Sequence, residues 1–378
     1  MRILIITNHL NGTDGWSRYA HDLAVSLSGR GHKVVCAVAE ESDRVKIEQK
    51  CILPPPALAR ISLQKVYNIA KEINILQKEF SFDVIHVAVE TYTLALPLAR
   101  IDDTIPIIVS LHGTFSYLPK LAKSKFQRLY FFILSGLAAR KTTYFVVGST
   151  FTQKRLRAIM PVSYFRKIEK KIRLIKYGAL IPSPKKTRFI SNKKKQILFV
   201  GAIKRRKGLL ETLKALRFYK EEYGGDFKFS IVGNYVSDDK YFQSLCRFIQ
   251  KERLEQQISF LGRMSDEKLS QLYDQVDLYL MLPVDDGSAF EGFGLVYIEA
   301  NARGIPTIGS YASGAEDAIK DGFSGYLVDP YGILAVANRI DRVLNSSSIK
   351  RNDCLDWARE HDINRRIVEY EVLYGHTK

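Results

Sequence analysis

Short apolar runs alternate with helix-length amphipathic stretches along the whole chain of 378 residues. The runs Arg2–Thr7, Lys33–Ala39, Val84–Val87, Ile105–Leu111 and Tyr144–Gly148 read as strands. After residue 190 the pattern restarts with Ile197–Gly201, Lys228–Val232, Ile258–Leu261, Leu278–Leu282, Thr307–Ser310 and a short Gly325–Val328. Strands that are apolar throughout and separated by helices predict parallel sheets covered on both faces. Two such series predict an α/β chain of two doubly wound, Rossmann-like domains. A basic, proline-containing, non-periodic run separates them, Pro182–Arg188 continuing to Ser191–Lys195, and reads as a linker. The domains are therefore expected at 1–182 and 183–361, with a final segment at 362–378.

Composition narrows the class. The apolar and charged fractions are those of a soluble globular protein. Cys36, Cys51, Cys246 and Cys354 are scattered and form no C-x-x-C pair, which argues against a zinc site or a disulfide framework and fits a reducing compartment. The opening run Met1–Thr7 is too short for a signal peptide and reads as a first buried strand. The longest apolar stretch, Leu129–Ala139, is far short of the ~20 residues that cross a bilayer. The net charge of +17 is uneven: residues 1–183 hold 27 Lys and Arg against 13 Asp and Glu, and the remaining 195 hold 30 against 27. A basic first half implies an anionic partner, unless the charge serves solubility alone. The segment Lys120–Leu134 mixes cations with large apolar residues, and Lys154, Arg155, Arg157, Arg166, Lys167, Lys170 and Lys171 follow. Such a surface suits an anionic membrane; the alternative is a core-facing helix with a charged outer face.

The most informative motif is Glu291-Gly-Phe-Gly-Leu-Val-Tyr-Ile-Glu299. A glycine-rich turn at a helix start offers free N–H groups to an anion. Were the run helical throughout, the carboxylates would lie about 12 Å apart and within roughly 80° around the axis. That layout fits an extended ligand with a phosphate at its middle and hydroxyls at both ends, as in a nucleotide diphospho-sugar. The alternative is a pair of solvated helix glutamates. Upstream, Phe199–Gly208 leaves a strand and carries four consecutive cations, Lys204 to Lys207, which next to a phosphate would donate charge-assisted hydrogen bonds. Asn11–Gly15 joins the first strand to a helix that starts near Trp16 or Ser17, and is read as a flexible loop able to approach a ligand. It lacks G-x-G-x-x-G. His112 follows a strand directly and sits beside Gly113, placed either for a ligand cleft or for a structural role.

Together these residues resemble the family-4 retaining glycosyltransferases, across nearly the whole chain. The E-x7-E run carries most of the resemblance, with Gly304-Ile-Pro306, Asp321–Val328, the run ending at Lys207-Gly208, Ile231-Val-Gly233, Phe260–Ser265 and His112-Gly113. The resemblance implies the GT-B fold, two Rossmann-like domains facing a central cleft, the final helix returning to the first. It implies that Glu299 binds the ribose and Glu291 the donor sugar, and that the amides of Phe293, Gly294 and Leu295 hold sugar and phosphate. Lys207 would bind the diphosphate and His112 would lie near the anomeric carbon. Arg263 and Met264 fall where the family contacts the base, and Gly15 in the loop near the phosphates. The chain departs from the family at Ala202, where arginine is usual; Arg205 or Arg206 would supply the missing charge.

The implied reaction is metal-independent hexosyl transfer with retention, by front-face attack, from a UDP-hexose or next a GDP-mannose, to a lipid-linked or saccharide acceptor. Neither a cofactor nor a metal is expected: there is no suitably placed D-x-D, and Asp285-Asp286 is read as non-ligating. The protein is expected in the cytoplasm, peripheral on the inner face of the cell membrane. One rival is a basic nucleic-acid-binding protein without transferase activity; no zinc finger, helix-turn-helix or RNP-type pattern supports it, and nucleic acid is not an expected partner. The other is a phosphorylase or epimerase on the same fold, distinguished by transfer to phosphate or by interconversion of the free nucleotide-sugar.

Overall fold

The structure is a computed structural model that describes all residues except 13, 57–60, 114–116, 183–193, 288 and 376–378. Most of the predicted linker therefore lies outside the described residues. The chain divides into two compact units, Met1–Leu180 with Ile363–Lys378, and Ile181–Asp362.

The first unit runs β1 (Arg2–Ile6), α1 (Gly15–Gly29), β2 (Lys33–Val38), β3 (Glu48–Cys51), α2 (Leu63–Phe80), β4 (Val84–Val87), β5 (Ile107–Leu111), α3 (Lys125–Lys141), β6 (Tyr144–Val147), α4 (Thr150–Ile159), α5 (Val162–Ile168) and β7 (Ile172–Leu174). Among the described residues it forms a seven-stranded parallel sheet of order β3-β2-β1-β4-β5-β6-β7. The central strands β1, β2, β4 and β5 are buried almost end to end, so both faces are covered. The strands β3 and β7 are absent from the sequence reading. Both lie at sheet edges: β3 is Glu-Gln-Lys-Cys and half exposed, and β7 has three residues. An edge strand needs no two-sided apolar run, so the periodicity does not mark it.

The second unit runs β8 (Lys195–Val200), α6 (Leu209–Glu222), β9 (Phe227–Val232), α7 (Lys240–Lys251), β10 (Ile258–Gly262), α8 (Asp266–Tyr273), β11 (Leu278–Leu280), α9 (Leu295–Asn301), β12 (Thr307–Ser310), α10 (Ala315–Ala318), β13 (Gly325–Val328), α11 (Ile333–Ser346) and α12 (Arg351–Glu360). Its described strands form a six-stranded parallel sheet of order β10-β9-β8-β11-β12-β13. In each sheet the winding direction reverses once, between β1 and β4 and between β8 and β11. Doubly wound sheets bind ligands beyond the carboxyl ends of the strands at such a reversal.

The last helix, α13 (Ile363–Leu373), packs on the first unit. The Ile363 N–H donates to the Ala179 carbonyl at 3.0 Å. Glu371, buried, accepts two bonds from Arg30, at 2.7 and 2.9 Å, and one from His32 Nε2 at 2.8 Å. The Arg30 bonds, then His32, hold the Glu371 carboxyl below its ordinary range against the effect of burial. A carboxylate with a depressed pKa adds stability above its unfolded pKa and loses it as pH falls through the folded one. Glu371→Gln should thus lower Tm by a few degrees at pH 7, and the difference from wild type should shrink below about pH 4.5, as followed by circular dichroism.

Candidate active site

In the second unit the chain leaves β8, tightens into a 3-10 turn at Arg205–Lys207 and enters α6 through Gly208. Gly208 has φ +66°, and a Cβ there would lie 1.5 Å from the Leu282 carbonyl oxygen. Only glycine lets this loop pass so close to the end of β11. The Val284 N–H then donates to the Arg206 carbonyl at 2.9 Å. The loops after β8 and β11, neighbours at the winding reversal, are thereby laced together.

Glu291 stands on the second of these loops. Its Oε2 accepts from Arg206 Nη1 and pairs with Lys207 Nζ, each at 2.6 Å. Glu291 and Lys207 are each 8% exposed. Burial acts to raise the Glu291 carboxyl, but Lys207 and Arg206 outweigh it and hold the group below the usual carboxylate range. Burial lowers the Lys207 ammonium; Glu291 offsets part of this, and repulsion from Arg206 adds to it. Two cations against one carboxylate leave a net positive charge in a mostly dry site. An anion arriving there is attracted strongly, because little solvent screens it.

The structure bears on three readings here. The Glu291–Glu299 run is a glycine turn followed by a helix start: α9 begins at Leu295, after Gly294 at φ +90°, so Glu291 lies in the loop and Glu299 on the helix, and the spacing of a continuous helix does not apply. The sharp turn is fixed by crowding, since a Cβ on Gly294 would meet the Tyr297 ring at 2.6 Å. Arg205 does not join the cluster; its guanidinium pairs with buried Glu211 at 2.7 Å, and Arg206 is the arginine beside Lys207. Gly15 is the first residue of α1 rather than part of a slack loop: Asp14 caps the helix through the Trp16 and Ser17 N–H groups and also meets Asn8 and His9.

Other singled-out residues are spread around this centre. Phe293 is buried, with its ring 5.9 Å from that of His361. Glu299 is half-buried on α9. Arg263 and Met264 follow β10, an edge strand, just before Ser265 caps α8. The Asp285 and Asp286 side chains accept the N–H groups of Gly287 and Ala289 within their own turn. Among the described residues no group of three His, Cys, Asp or Glu side chains is arranged to hold a metal ion.

In the first unit His112 follows β5, next to the winding reversal. Its Nε2–H donates to the Ala88 carbonyl at 2.9 Å, which leaves Nδ1 with the lone pair. The rings of Tyr19 and Tyr177 lie 4.9 and 5.3 Å from the imidazole. Burial pushes its pKa down to about 4, so His112 is neutral at pH 7. Two partners had not been singled out from sequence. Glu90, buried, accepts the His112 N–H through Oε1 at 2.7 Å. His86, fully buried, bridges Ser110 Oγ at 2.8 Å and the Tyr374 hydroxyl at 2.6 Å. A polar residue inside or just after a buried strand is the signal that marks both.

Comparison with known proteins adds to this picture. Residues 183–361 match the family model described as glycosyl transferases group 1, and residues 13–175 match glycosyltransferase family 4, most of the chain between them. A Campylobacter jejuni protein named GalNAc-alpha-(1->4)-GalNAc-alpha-(1->3)-diNAcBac-PP-undecaprenol alpha-1,4-N-acetyl-D-galactosaminyltransferase is 25% identical over 305 residues, 80% of this chain and 77% of that one. The N-acetyl-alpha-D-glucosaminyl L-malate synthase of Bacillus anthracis is 28% identical over 50% of this chain and 48% of its own. The chain spans about half the length of several curated relatives it matches. Among solved structures, Anabaena HepE in complex with UDP and glucose superposes with a TM-score of 0.73 at 18% identity, covering 98% of this chain and 99% of that one.

Glu291→Ala would strand two cations in a site with little water. Breaking a buried pair in this way costs about 3–5 kcal/mol, and the second cation makes the imbalance worse. The double variant Glu291→Ala/Lys207→Ala should lose less than the sum of the single losses, with a coupling of at least ~1 kcal/mol in urea unfolding. Strict additivity would show that the two side chains do not depend on one another.

Proposed function

The chain belongs to glycosyltransferase family 4, with the GT-B fold, and from that premise we propose that it transfers a hexosyl group, with retention, from a nucleotide diphospho-sugar to a hydroxyl of a lipid-linked or saccharide acceptor in polysaccharide or glycolipid synthesis. The observation that carries the proposal is the buried, net-positive cluster of Arg206, Lys207 and Glu291 at the winding reversal of the second unit. When the bond between the anomeric carbon and the donor phosphate breaks, charge collects on the departing diphosphate. Lys207 and Arg206 stabilise that charge. The new bond forms from the acceptor oxygen to the anomeric carbon, and the acceptor proton passes to the departing phosphate. Glu291, its Oε2 held by two cations, orients the sugar and balances positive charge rather than attacking it. Glu299 takes the ribose, the amides of Phe293, Gly294 and Leu295 the sugar and phosphate, and Arg263 and Met264 the base. His112 lies against the donor sugar, and Gly15, in the first turn of α1, faces the phosphates.

A UDP-hexose is the favoured donor, supported by the UDP bound to the Anabaena relative, with GDP-mannose next. The cations make a metal unnecessary for charge stabilisation, and no cofactor is invoked. In a thermal-shift panel of nucleotide-sugars, donor at 100 times its Kd should stabilise the protein by about 2.7 kcal/mol. Glu299→Ala and Lys207→Ala should each abolish that shift, and transfer should persist in EDTA. Unchanged donor affinity and turnover in both variants would overturn the assignment. Salt-sensitive DNA binding without any donor shift would favour the nucleic-acid reading.

A lipid-linked acceptor is supported by the undecaprenyl diphosphate in the name of the Campylobacter relative and by the surface of α3. Phe126, Leu129, Ile133 and Leu137 recur there at helical spacing and all face outward. The outer face is thus apolar, not the charged face of a simple core helix. Beside it runs a groove of about 790 Å³ that includes Tyr117, Leu129, Phe132 and Ile159, with Lys120 and Arg128 among its cations. Residues 104–168 contain 11 Lys and Arg and no Asp or Glu. Apolar insertion beside uncompensated cations matches an anionic leaflet, hence a peripheral place on the inner face of the cell membrane. Among the described residues no helix is long and apolar enough to cross a membrane. The protein should float with vesicles containing phosphatidylglycerol and stay behind with phosphatidylcholine alone, and Phe126→Ser/Phe132→Ser should weaken flotation at least several-fold. Equal behaviour with both vesicle types would count against the membrane surface.

A further inference from the structure

Glu90 opens a 3-10 turn, Glu90–Ala95, directly after β4. It is 2% exposed, and it has no part in the transfer described above. Its Oε1 accepts the His112 N–H at 2.7 Å. Two residues earlier, the Ala88 carbonyl accepts the His112 Nε2–H at 2.9 Å. One short segment therefore grips His112 twice, by its backbone and by its ring. Gly113, next along, has φ +101°, open to glycine for lack of a side chain, and its N–H also favours the charged form of Glu90. The Glu90 Oε2 meets no hydrogen-bond partner among the described residues. It belongs to the lining of an internal cavity of about 20 Å³, and Ser135 Oγ, likewise unpartnered, belongs to the same lining. A carboxyl half committed to His112 and half facing a pocket of one-water size is costly to bury for packing alone.

We propose that Glu90 is a positioning residue: by accepting the His112 N–H it holds the backbone of the His112–Gly113 corner, so that the ring, whose tautomer the Ala88 carbonyl sets, stays in one place. This rests on the reading of His112 as a donor-sugar contact. The segment acts as a clamp: without the Glu90 oxygen, the His112 backbone can drift while its ring still hangs from Ala88. Burial lifts the Glu90 carboxyl to about 7, so its proton exchanges across neutral pH. The titratable groups around it are His112 after β5, Tyr164 on α5, which lines the cavity, and Tyr177 beyond β7. Either protonation state retains an acceptor for the His112 N–H.

The test has two arms. In protein labelled with ¹⁵N only at its seven histidines, Glu90→Ala should move the His112 amide signal while the ring keeps its Nε2–H form, and Glu90→Gln, which keeps an acceptor oxygen, should leave the amide signal near wild type. Unchanged His112 signals in Glu90→Ala overturn the proposal, whether or not any donor is turned over. In the transfer assay, Glu90→Ala should lower kcat by about 10- to 100-fold, the range that small misplacements produce, with the donor thermal shift retained. Glu90→Gln should recover to within about threefold. Glu90→Ala/His112→Ala should be no slower than His112→Ala, since the two act as one unit. Multiplying effects would overturn it. A fully active His112→Ala would overturn it too, while observed transfer would leave the proposed function standing.

Discussion

The second unit depends on a buried charge imbalance: two cations shared by one carboxylate where two loops meet. Arg206, half-buried, and Lys207, buried, are consecutive, so their charges repel, and the Glu291 oxygen between them offsets that repulsion. Such an arrangement is weak evidence for stability, because dehydrating three charges costs about as much as their attraction returns. Its value is electrostatic: the residual positive charge has little water to screen it, so it attracts an anion more than a neutral group. The surrounding backbone serves this cluster. Gly208 lets the cationic turn press on the end of β11, and the Gly314 N–H donates to the Glu291 carbonyl at 2.8 Å, fixing the loop from its other side.

The two units solve different problems with the same topology. In the second, the polar atoms at the winding reversal are ionic. In the first, the set beneath His112 is neutral: His86, Ser110, Tyr19, Tyr370 and Tyr374 hydrogen-bond to one another. Burial drives the His86 imidazole to about 3 and raises the tyrosine hydroxyls, so the whole set stays uncharged at neutral pH. A neutral network can be enclosed completely as long as its donors and acceptors match, whereas an ionic one has to keep a counter-charge within reach.

Much of this was legible in the sequence, because burial on two faces writes itself as uninterrupted apolar runs. The other strands carry enough of that mark to be read, β10 and β13 at the edges of the second sheet included. The edge strands β3 and β7 do not: β3 is polar and half exposed, and β7 has only three residues. Glycines at Gly208 and Gly294 pointed to the correct corners, but composition cannot say where a helix starts after a glycine; the crowding of Tyr297 on Gly294 decides that. The direction of Arg205 was equally hidden, because neighbouring arginines are chemically identical until Glu211, six residues on, claims one of them. Glu90 escaped for the opposite reason: a lone carboxylate in Ala-Val-Glu-Thr-Tyr looks like a loop residue until β5 brings His112 beside it.

The return of α13 to the first unit has a consequence for biogenesis. Tyr370 and Tyr374 bond to side chains that precede them by hundreds of positions, and the oldest part of the sheet is completed by the youngest part of the polypeptide. During synthesis the first unit's sheet emerges before the stretch that supplies these two hydroxyls. Closing its buried network therefore requires a segment made after the whole of the second unit.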